Sequence, residues 1–179
     1  TGQSCVAGSR LIVAAAIKER LLALLKTKAE AIRIGAPEDN ETEVGPLCTV
    51  RQRELIETVV ARSIDAGARL ITGGERVFDT GFYYRPTILD CDGVQSPSME
   101  KELFGPVLSV VSFDTEEEAL ALANDTPFGL AAGLFTRDLA RAHRITRQLR
   151  CGVVWLNTYR AVSPMAPFGG YGQSGTGRE

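Results

Sequence analysis

The sequence predicts an α/β fold: three layers, α/β/α, built on a mostly parallel open sheet. Three observations carry this. From Val107 onward, strand-like and helix-like stretches alternate at the spacing of crossover units, which join parallel strands. The run VLSVVSF (107–113) is almost continuously apolar and rich in valine, as a strand buried on both faces requires. Two upstream segments carry apolar residues at helical spacing, with glycine just beyond each.

Taken in order, the first helix is expected from Ala14 to Ile32. Ile17, Leu21, Leu24, Leu25, Ala29 and Ile32 recur close to the helical period, and Gly35 and Pro37 end it. A second helix should run from Arg51 to Ala66, with Leu55, Ile56, Val59 and Val60 inward and Gly67 as the stop. ARLITGG reads as a short strand and turn. GFYYRPTILD reads as a strand that Pro86 pushes toward a sheet edge or bulge. After VLSVVSF, Asp114 or Thr115 caps a helix whose first turn holds Glu116, Glu117 and Glu118, where the helix dipole favours negative charge. NDTPFGL then reads as a structural turn, LAAGLFT as a strand, Asp138 to Arg150 as a helix and GVVWLN as a final strand. Arg137, Arg141, Arg144, Arg147 and Arg150 fall on the solvated face of that last helix.

Composition narrows the partners. The chain has 179 residues, enough for one domain or one domain with an extension; 44% are hydrophobic and 23% charged, typical of a globular protein with a real core. A net charge of -2 leaves no basic footprint for nucleic acid. No apolar run approaches the roughly 20 residues of a membrane span. The richest stretch, LIVAAAIKERLLALL, is cut by Lys18, Glu19 and Arg20. The opening residues, which lack a methionine, do not read as a signal peptide. Cys5, Cys48, Cys91 and Cys151 form no CxxC pair, and His143 is the single histidine, so no metal site is expected. Reduced thiols in the cytoplasm are the simplest account.

The chemistry centres on the opening TGQSCVAGSR. Gly2, Gln3, Ser4, Ala7 and Gly8 crowd small or short groups around Cys5 and leave space for a substrate. If VAGSR starts a helical turn, its free N–H groups favour a thiolate and can hold an oxyanion. A buried cysteine at a tight junction fits these local features equally well. Three further stretches bear on the choice. In KELFGPV, Glu102 can accept hydroxyls of a ribose and Phe104, two residues on, can pack against a flat ring; a solvated glutamate and a core phenylalanine are the plainer alternative. WLNTYRAVSPMAPFGG leaves a strand end and offers Trp155, Asn157, Tyr159, Met165 and Phe168 as pocket walls, with Trp155 best read as core. The tail PFGGYGQSGTGRE contains a G-x-G-x-x-G match at Gly170, Gly172 and Gly175. No helix follows it and no acidic ribose partner lies beyond, so a loop passing near a pocket is the better reading.

Together, GQSC with Ala7 and SR following, VGPL, FYYRPTIL, EKELFGPVLSV, NDTPFGLAAGLFT, GVVWLNTY and PFGGYGQSGTGRE resemble the aldehyde dehydrogenase superfamily nearly end to end. The resemblance implies the catalytic-domain fold of that family and oxidation of an aldehyde to a carboxylic acid with NAD or NADP, NAD being favoured. It puts Cys5 at the nucleophile, Glu102 at the ribose on the nicotinamide side, Phe104 beside the nicotinamide and Gln52 at a weaker cofactor contact. Ser4 and Val6 flank the nucleophile, and Asn157 through Phe168 correspond to the wall of the substrate tunnel. It further implies that residues 1–179 form the catalytic domain. The dinucleotide-binding domain, the oxyanion-hole asparagine, the water-activating glutamate and a terminal oligomerising segment lie in sequence not present here. On that basis the chain alone is expected to bind no cofactor, to turn over little aldehyde and to self-associate as a homo-oligomer through uncovered apolar surface. A CoA-acylating dehydrogenase and a non-catalytic assembly module of the same fold are the alternatives.

Overall fold

The computed structural model describes residues 1–161 and 163–179; Val162, within the expected tunnel-wall stretch, lies outside the described residues. The chain forms two compact units, Thr1–Asp114 and Thr115–Glu179. The architecture is mixed α/β with a parallel-rich sheet, as predicted.

In the N-terminal unit the elements are β1 (Arg10–Ala14), α1 (Lys18–Ala31), α2 (Val50–Asp65), β2 (Arg69–Thr72), β3 (Thr87–Asp90), α3 (Pro97–Glu100) and β4 (Val107–Phe113). Four strands pair in the order β1-β4-β3-β2. β1, β4 and β3 are parallel, while β2 is an antiparallel edge. Side chains alternate across the sheet, so neighbours in sequence enter different cores. Leu89 and Val107 join Ile56, Val59 and Val60 of α2 on one face. Ile88 and Val110 join Val13 and Leu22 on the other, with Leu21, Leu25 and Ala29 of α1 packed against them. The sheet of this unit is therefore the middle of three layers. Each fully buried aliphatic chain contributes about 1.5–3 kcal/mol.

Several expectations change here. RLIVA forms strand β1, so Ala14 ends a strand and the first α-helix begins at Lys18 rather than Ala14; a short apolar run followed by helix formers does not reveal its period. Pro86 precedes β3, which lies inside the sheet and is buried along its whole length, so the proline ends a loop rather than marking an edge. Leu55 faces solvent, and the first helix buries Leu22 in place of Leu24. α2 starts one residue early because Thr49 caps it, its hydroxyl accepting from the Gln52 N–H at 3.2 Å.

A buried hydroxyl cluster lies between α2, α3 and β4. Ser109 donates to Ser98 at 2.7 Å, Ser96 and Ser98 share a hydrogen at 2.9 Å, and the Ser98 N–H donates to the Ser63 hydroxyl at 3.2 Å. These bonds satisfy polar groups that burial would otherwise leave unpaired. They also fasten α3, the segment that leads into Glu102 and Phe104.

In the C-terminal unit the elements are α4 (Glu116–Asn124), β5 (Phe128–Gly129), β6 (Ala131–Leu134), α5 (Leu139–Thr146), β7 (Val153–Leu156) and β8 (Tyr171–Gly172). β6 and β7 are parallel and flank α5, the crossover the sequence predicts. Thr115, not Asp114, caps α4, accepting from the Glu118 N–H at 3.2 Å. α5 ends at Thr146, four residues before the expected Arg150. Arg141 and Arg144 are exposed as expected, and both pair with Glu116 of α4, at 3.1 and 2.6 Å. The NDTPFGL segment is a structural turn: Asn124 donates to Gln148 O at 2.9 Å and accepts from the Arg150 N–H at 2.8 Å.

Candidate active site

Because β1 and β4 are parallel neighbours, the loops leading into them run side by side. One carries Cys5, the other Glu102 and Phe104. They touch at their glycines: a methyl group added at Gly2, whose φ is +73°, would lie 2.4 Å from the Gly105 carbonyl oxygen. Only glycine allows that approach in that conformation. The Ser4 N–H donates to Gly2 O and the Ala7 N–H to Ser4 O, both at 2.9 Å. This tight turn lifts Cys5 into solvent, with Ser4 and Val6 half-buried on either side. VAGSR does not start a helix; after the turn the chain extends into β1. The helix-dipole argument for the thiol therefore does not apply, whereas the clear approach to it does. These loops lie at the amino-terminal ends of the strands, opposite the edge that open α/β sheets usually offer a ligand.

Leu103 is buried and pins the second loop, leaving Glu102 exposed and Phe104 39% exposed. Among the described residues, no hydrogen bond or ion pair engages the Glu102 carboxylate, so its oxygens are available as acceptors. Phe104 has φ +46°, in the left-handed region. Such a conformation costs about 1–3 kcal/mol in a residue with a side chain and needs its surroundings to hold it. It also breaks the two-residue alternation by which the sequence aligns Phe104 with Glu102. Gln52, in the first turn of α2, donates from Nε2 to Leu103 O. A methyl at Gly105 would fall 2.2 Å from Ile56 Cδ1, so the loop lies directly on α2. Gln3 accepts from the Cys48 N–H at 3.0 Å. The sequence reading counted Gln3 only as a small-group neighbour of the thiol; its polar amide was the available signal that it holds something.

In the C-terminal unit, Asn157 follows β7 with φ +54°. Its side chain accepts from the Thr136 N–H and donates to Thr136 O, both at 2.9 Å, extending the β6–β7 pairing by one side-chain rung. The Asn157 amide thus has a structural task, and the residue lines an open hollow of about 560 Å³ with Phe135, Arg137, Asp138 and Leu139. That hollow contains none of Cys5, Glu102, Phe104 and Gln52. Trp155 is buried core, donating to Ala161 O at 2.6 Å and meeting Tyr159 edge-on at 5.0 Å. Met165 is fully exposed. Phe168 is half-buried and pairs its backbone with Glu179 at 2.9 and 3.0 Å. The glycine tail is stitched to β5: β8 pairs with it, and the Ser174 hydroxyl accepts from the Gly129 N–H at 3.0 Å.

All four cysteines are free: Cys5 and Cys48 exposed, Cys91 buried, Cys151 between. Burial pushes the Cys151 thiol up. Among the described residues, no helix is long and apolar enough to cross a membrane.

An exposed cysteine thus stands on a glycine-seated turn, beside a loop that offers a free carboxylate and an aromatic with a left-handed backbone. The chain belongs to the aldehyde dehydrogenase family, whose profile matches residues 1–179. Among its relatives is the (Z)-2-((N-methylformamido)methylene)-5-hydroxybutyrolactone dehydrogenase of Acinetobacter baylyi, 60% identical over 100% of this chain and 37% of that protein. A betaine aldehyde dehydrogenase of Cereibacter sphaeroides is 46% identical over 99% of this chain and 37% of its own length. The crystal structure of PnpE from Pseudomonas sp. WBC-3 in complex with nicotinamide adenine dinucleotide superposes with a TM-score of 0.94 at 42% identity, covering 99% of this chain and 37% of that one. The chain spans little more than a third of the length of these relatives.

Proposed function

We propose that this chain is the thiol-bearing catalytic domain of an NAD(P)-dependent aldehyde dehydrogenase, with NAD the favoured cofactor. The observation that carries the reading is the seating of the Cys5 turn on the Glu102–Phe104 loop through Gly2 and Gly105. Cys5 is the nucleophile. Its thiolate adds to the aldehyde carbon and the carbonyl oxygen becomes the oxyanion of a thiohemiacetal, for which the Cys5 backbone N–H serves as a donor. When bound, the nicotinamide supplies the hydride acceptor. Loss of hydride leaves a thioester on Cys5, and water releases the carboxylic acid and returns the thiol. Glu102 accepts hydroxyls of the ribose and Phe104 packs beside the ring. Gln52 supports the same loop and borders the cofactor. The fit rests on a free carboxylate and an exposed aromatic held on one short loop. Ser4 and Val6 shape the approach to the thiol, and Asn157 and Phe168 border the aldehyde's path. The protein works in the cytoplasm, where free thiols persist, on a small-molecule aldehyde.

The test is a chimera in which this chain replaces its counterpart in the Acinetobacter baylyi relative. With NAD and an aldehyde the chimera reduces the cofactor. Cys5→Ser lowers kcat by roughly a thousandfold or more. Undiminished turnover in that variant would reject Cys5 as the nucleophile.

A further inference from the structure

The Cys5 turn and the Phe104 loop belong to different strands, and each is tied by a glutamine to the same place, the first turn of α2. Gln3 Oε1 accepts from the Cys48 N–H at 3.0 Å, just ahead of the Thr49 cap. Gln52, whose own N–H donates to the Thr49 hydroxyl, reaches across to Leu103 O. The two loops then meet where Gly2 packs on Gly105. The contacts close a ring: Cys5 turn, Gln3, α2 cap, Gln52, Leu103–Gly105, and back to Gly2. Phe104 keeps its left-handed backbone inside this ring, between the Leu103 carbonyl held by Gln52 and the Gly105 backbone held between Gly2 and Ile56.

We infer that Gln3 and Gln52 are positioning residues that fix the nucleophile turn and the cofactor loop to one anchor, the capped amino-terminal turn of α2. The inference rests on the reading of the two loops as parts of one site, and assigns each glutamine a definite polarity. Gln3 serves as an acceptor, because its partner is a backbone N–H. Gln52 serves as a donor, because its partner is a carbonyl. A glutamate can replace the first but not the second: a carboxylate accepts from the Cys48 N–H and repels Leu103 O.

The experiment is amide hydrogen exchange on the chain without cofactor, comparing Gln3→Glu, Gln3→Leu, Gln52→Glu and Gln52→Leu. Gln3→Leu should speed exchange across residues 2–7 about fivefold, the worth of one net hydrogen bond, while Gln3→Glu stays close to wild type. Both Gln52 variants should speed exchange across residues 103–105 by a similar factor. Because the ring is closed, each Leu variant should loosen the other loop as well. Val59 and Val60, deep in α2, report global folding and should stay protected in every variant. In the chimera, Gln3→Leu should lower kcat with little change in KM for NAD, and Gln3→Glu should restore it. Gln52→Leu should chiefly raise KM for NAD.

Equal behaviour of Gln3→Glu and Gln3→Leu, or unchanged exchange at 103–105 in Gln52→Leu with α2 protected, would overturn the anchor. The cofactor-free exchange separates this from the function. Altered exchange together with a chimera that never reduces NAD would leave the anchor standing and refute the dehydrogenase reading. If Gln52 acted only by touching cofactor, its variants would change KM and leave exchange as in wild type.

Discussion

Cys5 and Cys48 are both exposed cysteines, yet only Cys5 sits on a turn with small neighbours and an unobstructed approach. In native protein an alkylating reagent should therefore modify Cys5 first and Cys48 more slowly. Cys151, its thiol pushed up by burial, and Cys91, enclosed in the core, should lag behind both. Peptide mass spectrometry of a time course measures the order, and Cys48 leading would mark Cys5 as a spectator. Gly105 has the opposite demand, for the absence of a side chain. Its α-carbon lies against Ile56 and its carbonyl against Gly2, so Gly105→Ala must displace a buried isoleucine or the loop. A cost of about 1–3 kcal/mol follows from overpacking at such a contact, measurable by urea unfolding. The motifs GQSC and ELFGP were legible in advance, and the structure brings their two loops together at Gly2 and Gly105. What composition and spacing did not reveal was the left-handed backbone of Phe104, since conformation at a single non-glycine residue is imposed by its packing. The structural duty of the Asn157 amide was hidden for the same reason, because Thr136 is distant in sequence.

Elements with strong local signals came through most faithfully. VLSVVSF became β4 with the expected bounds, and the β6–α5–β7 crossover formed where the alternation placed it. β1 was missed because RLIVA acquires its strand character from pairing with β4 rather than from its own pattern. At the far ends of β1, β3 and β4 lies an ionic cluster that no motif announces. Lys18, buried at the start of α1, pairs with Asp90 at 2.7 Å and with Asp92. Arg69 reaches Asp90 at 2.9 Å, and Ser112 donates twice to Asp92 at 2.6 Å. Burial disfavours both charged carboxylates, but hydrogen bonds from Lys18 and Arg69 to Asp90, and from Lys18 and Ser112 to Asp92, outweigh it and hold both below the usual carboxylate range. Burial likewise opposes charge on Lys18, and the two aspartates overcome it and raise its ammonium. A lowered carboxyl stabilises the fold above its unfolded value and loses that contribution as pH falls through its folded value. The unfolded reference lies near 4. A raised lysine contributes fully below its unfolded value near 10.4 and loses that contribution as pH rises past its folded value. Stability should therefore fall at both extremes. Lys18→Met, which leaves Asp90 with Arg69 and Asp92 with Ser112 but removes the ammonium they share, should cost about 1–3 kcal/mol near neutral pH and flatten the acid limb of the unfolding curve. An acid limb of unchanged steepness would remove the cluster from the account.

At the scale of the whole molecule the chain divides into two compact units, with Cys5, Glu102 and Phe104 in one and Asn157 and Phe168 in the other. The C-terminal unit exposes Phe135 and Leu139, each about two-thirds accessible, together with Met165. Phe135 and Leu139 border one hollow, and apolar side chains grouped in that way favour association. Light scattering should show a dimer or larger species as concentration rises, and a monomer throughout would oppose it. Fold class and family were the most legible features, because many short motifs in fixed order constrain each other. The identity of the aldehyde was the least, because specificity depends on which side chains converge across distant loops. The central claim is that Cys5 bonds covalently to the substrate carbon. Its most direct measurement is peptide mass spectrometry of the chimera, quenched in acid during turnover with aldehyde and NAD. The account predicts an acyl group on the peptide carrying Cys5, absent when NAD is withheld and absent in Cys5→Ser. An acyl group on another cysteine, or turnover with the Cys5 peptide never modified, would contradict it.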